Sequence, residues 1–117
     1  KFNDAVARNG YVYGLDEGIL VCLDLETGNR QWKRGRYGYG QLLLADDLLV
    51  IQADTGEIVL VEANPSEFNE VTRFQAIEGK TWNHPVITRN RLLVRNAREA
   101  ACFEFGSVVG NDWNLTP

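Results

Sequence analysis

The chain has 117 residues, 44% of them hydrophobic and 24% charged, with a net charge of −4. These values describe one small folded domain and exclude a disordered chain. Arg and Lys are scattered among Asp and Glu, so there is no basic stripe to track a phosphate backbone, and nucleic acid is not an expected partner. No apolar run approaches the ~18 residues of a membrane-spanning helix, so direct membrane insertion is not expected.

In chain order, the first unit places strands near 4–8, 11–15, 19–25 and 30–33. Asn9-Gly10 is the strongest short hairpin signal, and Asp16-Glu17-Gly18 supplies the next turn. The second unit places strands near 41–45, 48–53, 57–63 and 71–76, with turns at Asp46-Asp47 and Asp54-Thr55-Gly56. Between its last two strands, Asn64 to Thr72 has room for one short helical turn opened by Pro65-Ser66-Glu67. The third unit places strands near 85–88, 91–96 and 99–105. The runs are rich in Val, Ile, Leu and Tyr and too short for helices.

These units are copies of one another. Val6–Asp24, Leu43–Glu62 and Ile87–Glu104 align by eye, with Tyr11, Leu48 and Leu92 in equivalent places, 37 and 44 residues apart (11 to 48, 48 to 92). Periods near 40 suit a four-stranded propeller blade, and the turn chemistry selects it over a helical repeat. The expected fold is therefore all-β: antiparallel four-stranded β-propeller blades, about 2.5–3 of them, forming a partial propeller. Residues 1–40 make one blade, 41–80 a second, 81–105 a third and incomplete one, and 106–117 a C-terminal tail. One reading of the tail adds the missing outer strand with Trp113 as a docking residue; the other leaves it as a loose end.

The segment Cys22-Leu23-Asp24-Leu25-Glu26-Thr27-Gly28-Asn29-Arg30-Gln31-Trp32 resembles the tryptophan-docking motif of quinoprotein (PQQ-type) repeats, Ala-x-Asp-x-x-Thr-Gly-x-x-x-Trp, with Cys22 in place of Ala. The stretch Gly79 to Ile87, followed by Arg91 to Asn96, resembles the last blades of bacterial outer-membrane-assembly-type propellers. The resemblance implies that Asp24 bonds turn amides, that Thr27-Gly28 makes the turn, and that Trp32 lies between neighbouring blades. In the second copy the Thr-Gly pair is missing and Phe74 stands near the Trp position. The resemblance also implies a closed ring of seven or eight blades, which three units cannot form, and a periplasmic or extracytoplasmic location. No signal peptide opens the sequence, and the absence of Met reads as a processed product or a piece of something longer. Expected partners are the remaining blades of a longer chain, other proteins, or copies associating through open blade faces.

For chemistry, a PQQ-dependent dehydrogenase would bring calcium, a catalytic Asp and adjacent cysteines. Cys22 and Cys102 are 80 residues apart, and each reads as a small buried hydrophobe rather than a ligand. Asp46-Asp47 and Asp16-Glu17 read as solvated turns. No cofactor or metal is therefore expected in this segment, and no catalytic residue is named. Trp82 and His84, the latter the only histidine, precede an inner strand; they read as ligand contacts at a channel mouth or as packing and hydrogen-bonding residues. Arg30, Lys33, Arg34 and Arg36 interleave with Tyr37 and Tyr39, a pattern that suits single-stranded nucleic acid or a solvated outer strand. The leading expectation is a non-catalytic scaffold for protein contacts. The alternatives are a fragment of a PQQ-dependent dehydrogenase and a small-ligand or sugar-binding propeller.

Overall fold

The computed structural model describes residues 2–107 and 113–116. Among the described residues, twelve strands form three four-stranded antiparallel sheets, each a meander. The first holds β1 (Phe2–Arg8), β2 (Tyr11–Asp16), β3 (Ile19–Asp24) and β4 (Arg30–Arg34). The second holds β5 (Gln41–Ala45), β6 (Leu48–Gln52), β7 (Glu57–Glu62) and β8 (Glu70–Gln75). The third holds β9 (Val86–Thr88), β10 (Arg91–Arg95), β11 (Ala100–Ser107) and β12 (Trp113–Thr116). Of the two readings of the tail, the one that adds a fourth strand is the one found.

Hairpin geometry fixes the repeat more sharply than leucine matching does. Asn9, Asp46 and Arg89 each take a left-handed φ near 50° at the first hairpin of their sheet. The residues two positions on, Tyr11, Leu48 and Arg91, stand opposite Asp24, Glu62 and Glu104. The amides of Leu25, Ala63 and Phe105 then bond to the carbonyls of Gly10, Asp47 and Asn90 at 3.0, 2.8 and 2.8 Å. Leu48 is therefore matched by Arg91, not Leu92.

The sheets stack in sequence order, and alternate side chains point to opposite neighbours. We call the face toward the following sheet forward and the other rear. In the second sheet Leu49, Ile51, Val59 and Val61 point rearward into a core shared with Tyr13, Leu15, Leu20, Cys22 and Trp32 of the first. Leu48, Val50, Ile58 and Leu60 point forward into a core shared with Leu92, Val94, Phe103 and Phe105 of the third. Both faces of the second sheet are covered, which is why β6 is buried along its whole length.

The segment after Glu62 makes no helical turn. Asn64 Oδ1 accepts the Ser66 amide at 2.8 Å, and this side-chain turn replaces the backbone bond a helix would need. Both cysteines are free: Cys22 is buried as expected, but Cys102 is exposed because it lies on the forward face of the third sheet, which no described sheet covers.

Candidate functional site

The docking segment builds its own turn. Asp24 Oδ1 accepts the amides of Glu26 (2.8 Å) and Thr27 (3.2 Å), Thr27 Oγ1 accepts that of Asn29 (3.1 Å), and the Gly28 amide bonds to the Asp24 carbonyl (2.8 Å). β4 then returns with Trp32 opposite Cys22, facing forward. The indole packs against Tyr13 at 6.1 Å and edge-on against Phe68 of the second sheet at 5.5 Å, and its Nε1 donates to the Asn64 carbonyl at 2.8 Å. Burial alone would suit any large ring; the hydrogen bond fixes where this one sits.

Phe74 is not in the same register. A bulge follows Cys22 in the first sheet and Leu60 in the second, so the counterpart of Trp32 is Thr72, opposite Leu60. Phe74 lies two residues further on and meets Phe103 of the third sheet edge-on at 5.1 Å. In the third sheet Trp113 stands opposite Ser107, away from Cys102, the counterpart of Cys22; its side chain lies outside the described residues.

At one end of the stack the first strand of each sheet begins, the turns between the second and third strands of each sheet project, and the linkers 35–40 and 76–85 cross between sheets. The linkers are pinned to those turns. Gly18 O accepts the Tyr37 amide at 2.7 Å, and Gly56 O accepts those of Ala76 and Ile77 at 3.1 and 3.3 Å. Asp54 holds both linkers: Oδ2 accepts the Tyr39 amide at 3.1 Å, and its carbonyl accepts the Thr81 amide at 2.9 Å.

His84 falls at this end, half-exposed, with Nε2 3.4 Å from Asp4 Oδ2 and Nδ1 3.0 Å from the Pro85 carbonyl. The same Asp4 oxygen accepts the Leu42 amide at 2.8 Å. One carboxylate thereby gathers β1, β5 and the residues just before β9. The fully buried Gln52 donates from Nε2 to the Asn83 carbonyl at 2.6 Å, and among the described residues its Oε1 has no donor. Trp82 points away, 61% exposed, as does Tyr39 on the other linker at 72%. The sequence singled out Trp82 and His84, and named Tyr39 only within the basic run; Asp4 and Gln52 were missed, although a lone polar residue ending the run Leu48–Ile51 could have pointed to Gln52.

The basic run does not interleave with aromatics in space. Tyr37 is buried, donates to Glu70 Oε1 at 3.2 Å and lies 5.5 Å beneath the Arg73 guanidinium. Lys33 pairs with Asp16 at 3.1 Å, and an open groove of about 820 Å³ runs along β4 past Arg30, Arg34 and Arg36. Asp47 pairs with Arg8. Among the described residues no three His, Cys, Asp or Glu side chains converge to hold a metal ion.

No family model matches the chain, and no curated protein does. Among solved structures it is similar to the computationally designed Ika4 protein, with a TM-score of 0.75 and 12% sequence identity, over 89% of this chain and 66% of that one. The chain thus spans about two thirds of the designed protein, and at that identity the likeness is one of fold alone.

Proposed function

We propose that each four-stranded sheet is one blade of a β-propeller and that this arc of three blades is a non-catalytic scaffold for protein contacts. The observation that carries the reading is the strict repetition: three meanders share one hairpin geometry, one set of cross-strand partners and one stacking direction. Such units cannot bury both faces alone and are built into arrays. Trp32 between two sheets fits the role that the quinoprotein-type motif implies for it. The linker end is the contact surface in this reading, because it carries the exposed Tyr39 and Trp82 on segments pinned to rigid turns. Aromatic anchors of that kind dominate protein interfaces.

The test is a photo-crosslinking amino acid placed at Trp82, at Tyr39 and, as a control, at Ser66 on the far loop, in the protein made by its own cells. Discrete adducts from the first two positions and none from the third are expected. Calcium- and PQQ-dependent dye reduction by the purified gene product would overturn the scaffold reading in favour of a dehydrogenase.

A second reading, binding of a small polar ligand such as a sugar, is favoured by one observation. The exposed Trp82 is two residues from His84, which pairs with Asp4, on the linker whose Asn83 carbonyl takes the Gln52 amide. Unchanged oligosaccharide retention by a Trp82→Ala variant would eliminate it.

A further inference from the structure

The three outer strands differ in charge. Among the described residues, β4, β8 and β12 each leave one long edge without a partner in their sheet. β8 carries Arg73, whose guanidinium is taken by Glu70 at 2.8 Å and Glu57 at 3.5 Å. β12, Trp113-Asn114-Leu115-Thr116, has no charged residue. β4 is different. Arg30, Lys33, Arg34 and, just past its end, Arg36 stand within seven residues of a chain whose net charge is −4, and no Asp or Glu occurs between Glu26 and Asp46.

Most of this charge is unanswered. Lys33 pairs with Asp16, but among the described residues no carboxylate pairs with Arg30, Arg34 or Arg36, and all three are exposed. The cations lie on both faces of the strand. Arg34 stands opposite Leu20 and faces forward with Trp32, whereas Arg30 and Lys33 stand opposite Leu23 and Val21 and face rearward. The open groove beside them is also lined by Ile19 and Trp32. The backbone that carries the cations is held in place: β4 is bonded to β3, and the Tyr37 amide ties the residue after Arg36 to Gly18. A partner therefore meets a preformed edge, which lowers the cost of ordering on binding.

We infer that the free edge of β4 receives an extended acidic segment of another protein, added as a fifth strand to the first sheet. Main-chain bonds along the edge give affinity, and adjacent carboxylates, one on each face of the added strand, take Arg34 and Arg30. Each guanidinium offers a planar fork that a carboxylate matches with two bonds. Charge complementarity selects this occupant over the others. A second copy would lay β4 against β4 and bring like charges together, the device by which edge strands avoid self-pairing. Single-stranded nucleic acid needs exposed rings among the cations, but Trp32 and Tyr37 are buried and the exposed Tyr39 does not line the groove. The inference rests on one sheet and its charges, and not on the blade reading or on a partner at Trp82 and Tyr39.

The test titrates the 117-residue chain into a fluorescent peptide of about a dozen residues that repeats Glu-Glu-Thr-Thr, with both ends blocked, and follows anisotropy. Saturable binding is expected, and a Lys-Lys-Thr-Thr peptide should not bind. A double variant, Arg30→Glu with Arg34→Glu, should lose at least tenfold in affinity for the acidic peptide and gain the basic one, a gain that only a folded edge can show. Arg95→Glu, in the third sheet, should leave affinity unchanged. No binding of the acidic peptide, equal binding by the double variant, or an equal loss in Arg95→Glu would overturn the site. N-methylation of every Thr keeps the carboxylates but removes N–H groups on both sides of the strand. It should weaken binding at least tenfold; unchanged affinity would overturn strand addition. Tighter binding of an oligothymidine of equal length, lost in the same double variant, would replace the acidic segment by nucleic acid. None of these results bears on the crosslinking at Trp82 or on dye reduction, so failure here is distinct from failure of the functional reading.

Discussion

The two sheet-to-sheet interfaces are built on one plan but held differently. Between the first and second sheets, Trp32 inserts an indole whose N–H reaches the Asn64 carbonyl. Between the second and third, Phe74 meets Phe103 by ring contact alone, one pair of positions along the strand from where Trp32 would be. Apolar area drives both associations, since it is non-directional and needs only compatible shapes. The directional bond adds register at the first interface, and the second shows that the stack tolerates its loss.

The largest effect expected from this difference comes from truncating the two rings. Trp32→Ala removes a buried ring and should cost about 3–5 kcal/mol in urea unfolding. Phe74→Ala should cost less, because Phe74 is only partly buried to begin with. Trp32→Phe separates the ring from its bond and should cost roughly 1–3 kcal/mol through the carbonyl it leaves unpaired. A Trp32→Phe variant as stable as the parent would reduce the first interface to the same kind as the second.

Two glycines probe the turns that position the sheets. Gly28 sits at φ 76° with open space around the site of a Cβ, so Gly28→Ala should cost only the left-handed penalty, about 1 kcal/mol. Gly56 sits at φ 91°, and a Cβ there would lie 2.0 Å from the Ile77 carbonyl oxygen. Gly56→Ala must push the second linker off its turn, so its melting temperature should fall further than that of Gly28→Ala. Equal shifts would mean that the linker yields freely.

Alkali should separate the interfaces next. Burial pushes the Cys22 thiol up to about 11, with the Asp24 charge adding and a hydrogen bond from Tyr13 opposing. Burial also raises Tyr13, reinforced by Cys22, and Tyr37, reinforced by Glu70. All three lie in the core between the first and second sheets. Each holds its proton more tightly when folded, so its stabilising contribution is complete below the unfolded value, near 9 for the thiol and 10 for the phenols. It is lost as pH rises through the folded value. Unfolding free energy should therefore fall from about pH 9 upward. Hydrogen exchange at pH 10 should accelerate in β3 before β10; the reverse order would contradict the assignment.

The sequence made the strands legible because period-two alternation and turn residues are local signals. The run Leu48–Ile51 has no polar face and is buried throughout, whereas Leu92-Leu93-Val94 is equally apolar yet Leu93 is exposed, so the number of covered faces was not legible from the run itself. Exact register was not legible: matching leucines put Leu92 opposite its place because the charged Arg91 hides the repeat. The fourth strand of the third sheet was one of two readings of the tail, because the tail lacks the docking motif that would have decided it. His84 and Trp82 were found as unusual residues in a linker, but Asp4 reaches His84 from 80 positions earlier in the chain (84 − 4), and only stacking brings them together. Cys102 looked buried because its local pattern is that of Cys22; its exposure depends on a neighbouring sheet, which no local pattern encodes.

The smallest effect should come from the forward face of the third sheet. Leu93 and Val50 are counterparts on the forward faces of the third and second sheets, opposite Cys102 and Leu60. Val50 is fully buried, so Val50→Ala removes two packed methyl groups and should cost roughly 2 kcal/mol. Leu93 loses more carbon on truncation but is 42% exposed between two arginines, so Leu93→Ala should change stability by no more than about 0.5 kcal/mol. The larger deletion thus has the smaller consequence, because what is lost is contact with a neighbour and not the side chain's own size. The comparison is made in the 117-residue chain and repeated in the gene product. If Leu93→Ala costs as much as Val50→Ala in the gene product alone, a neighbour covers the third sheet there.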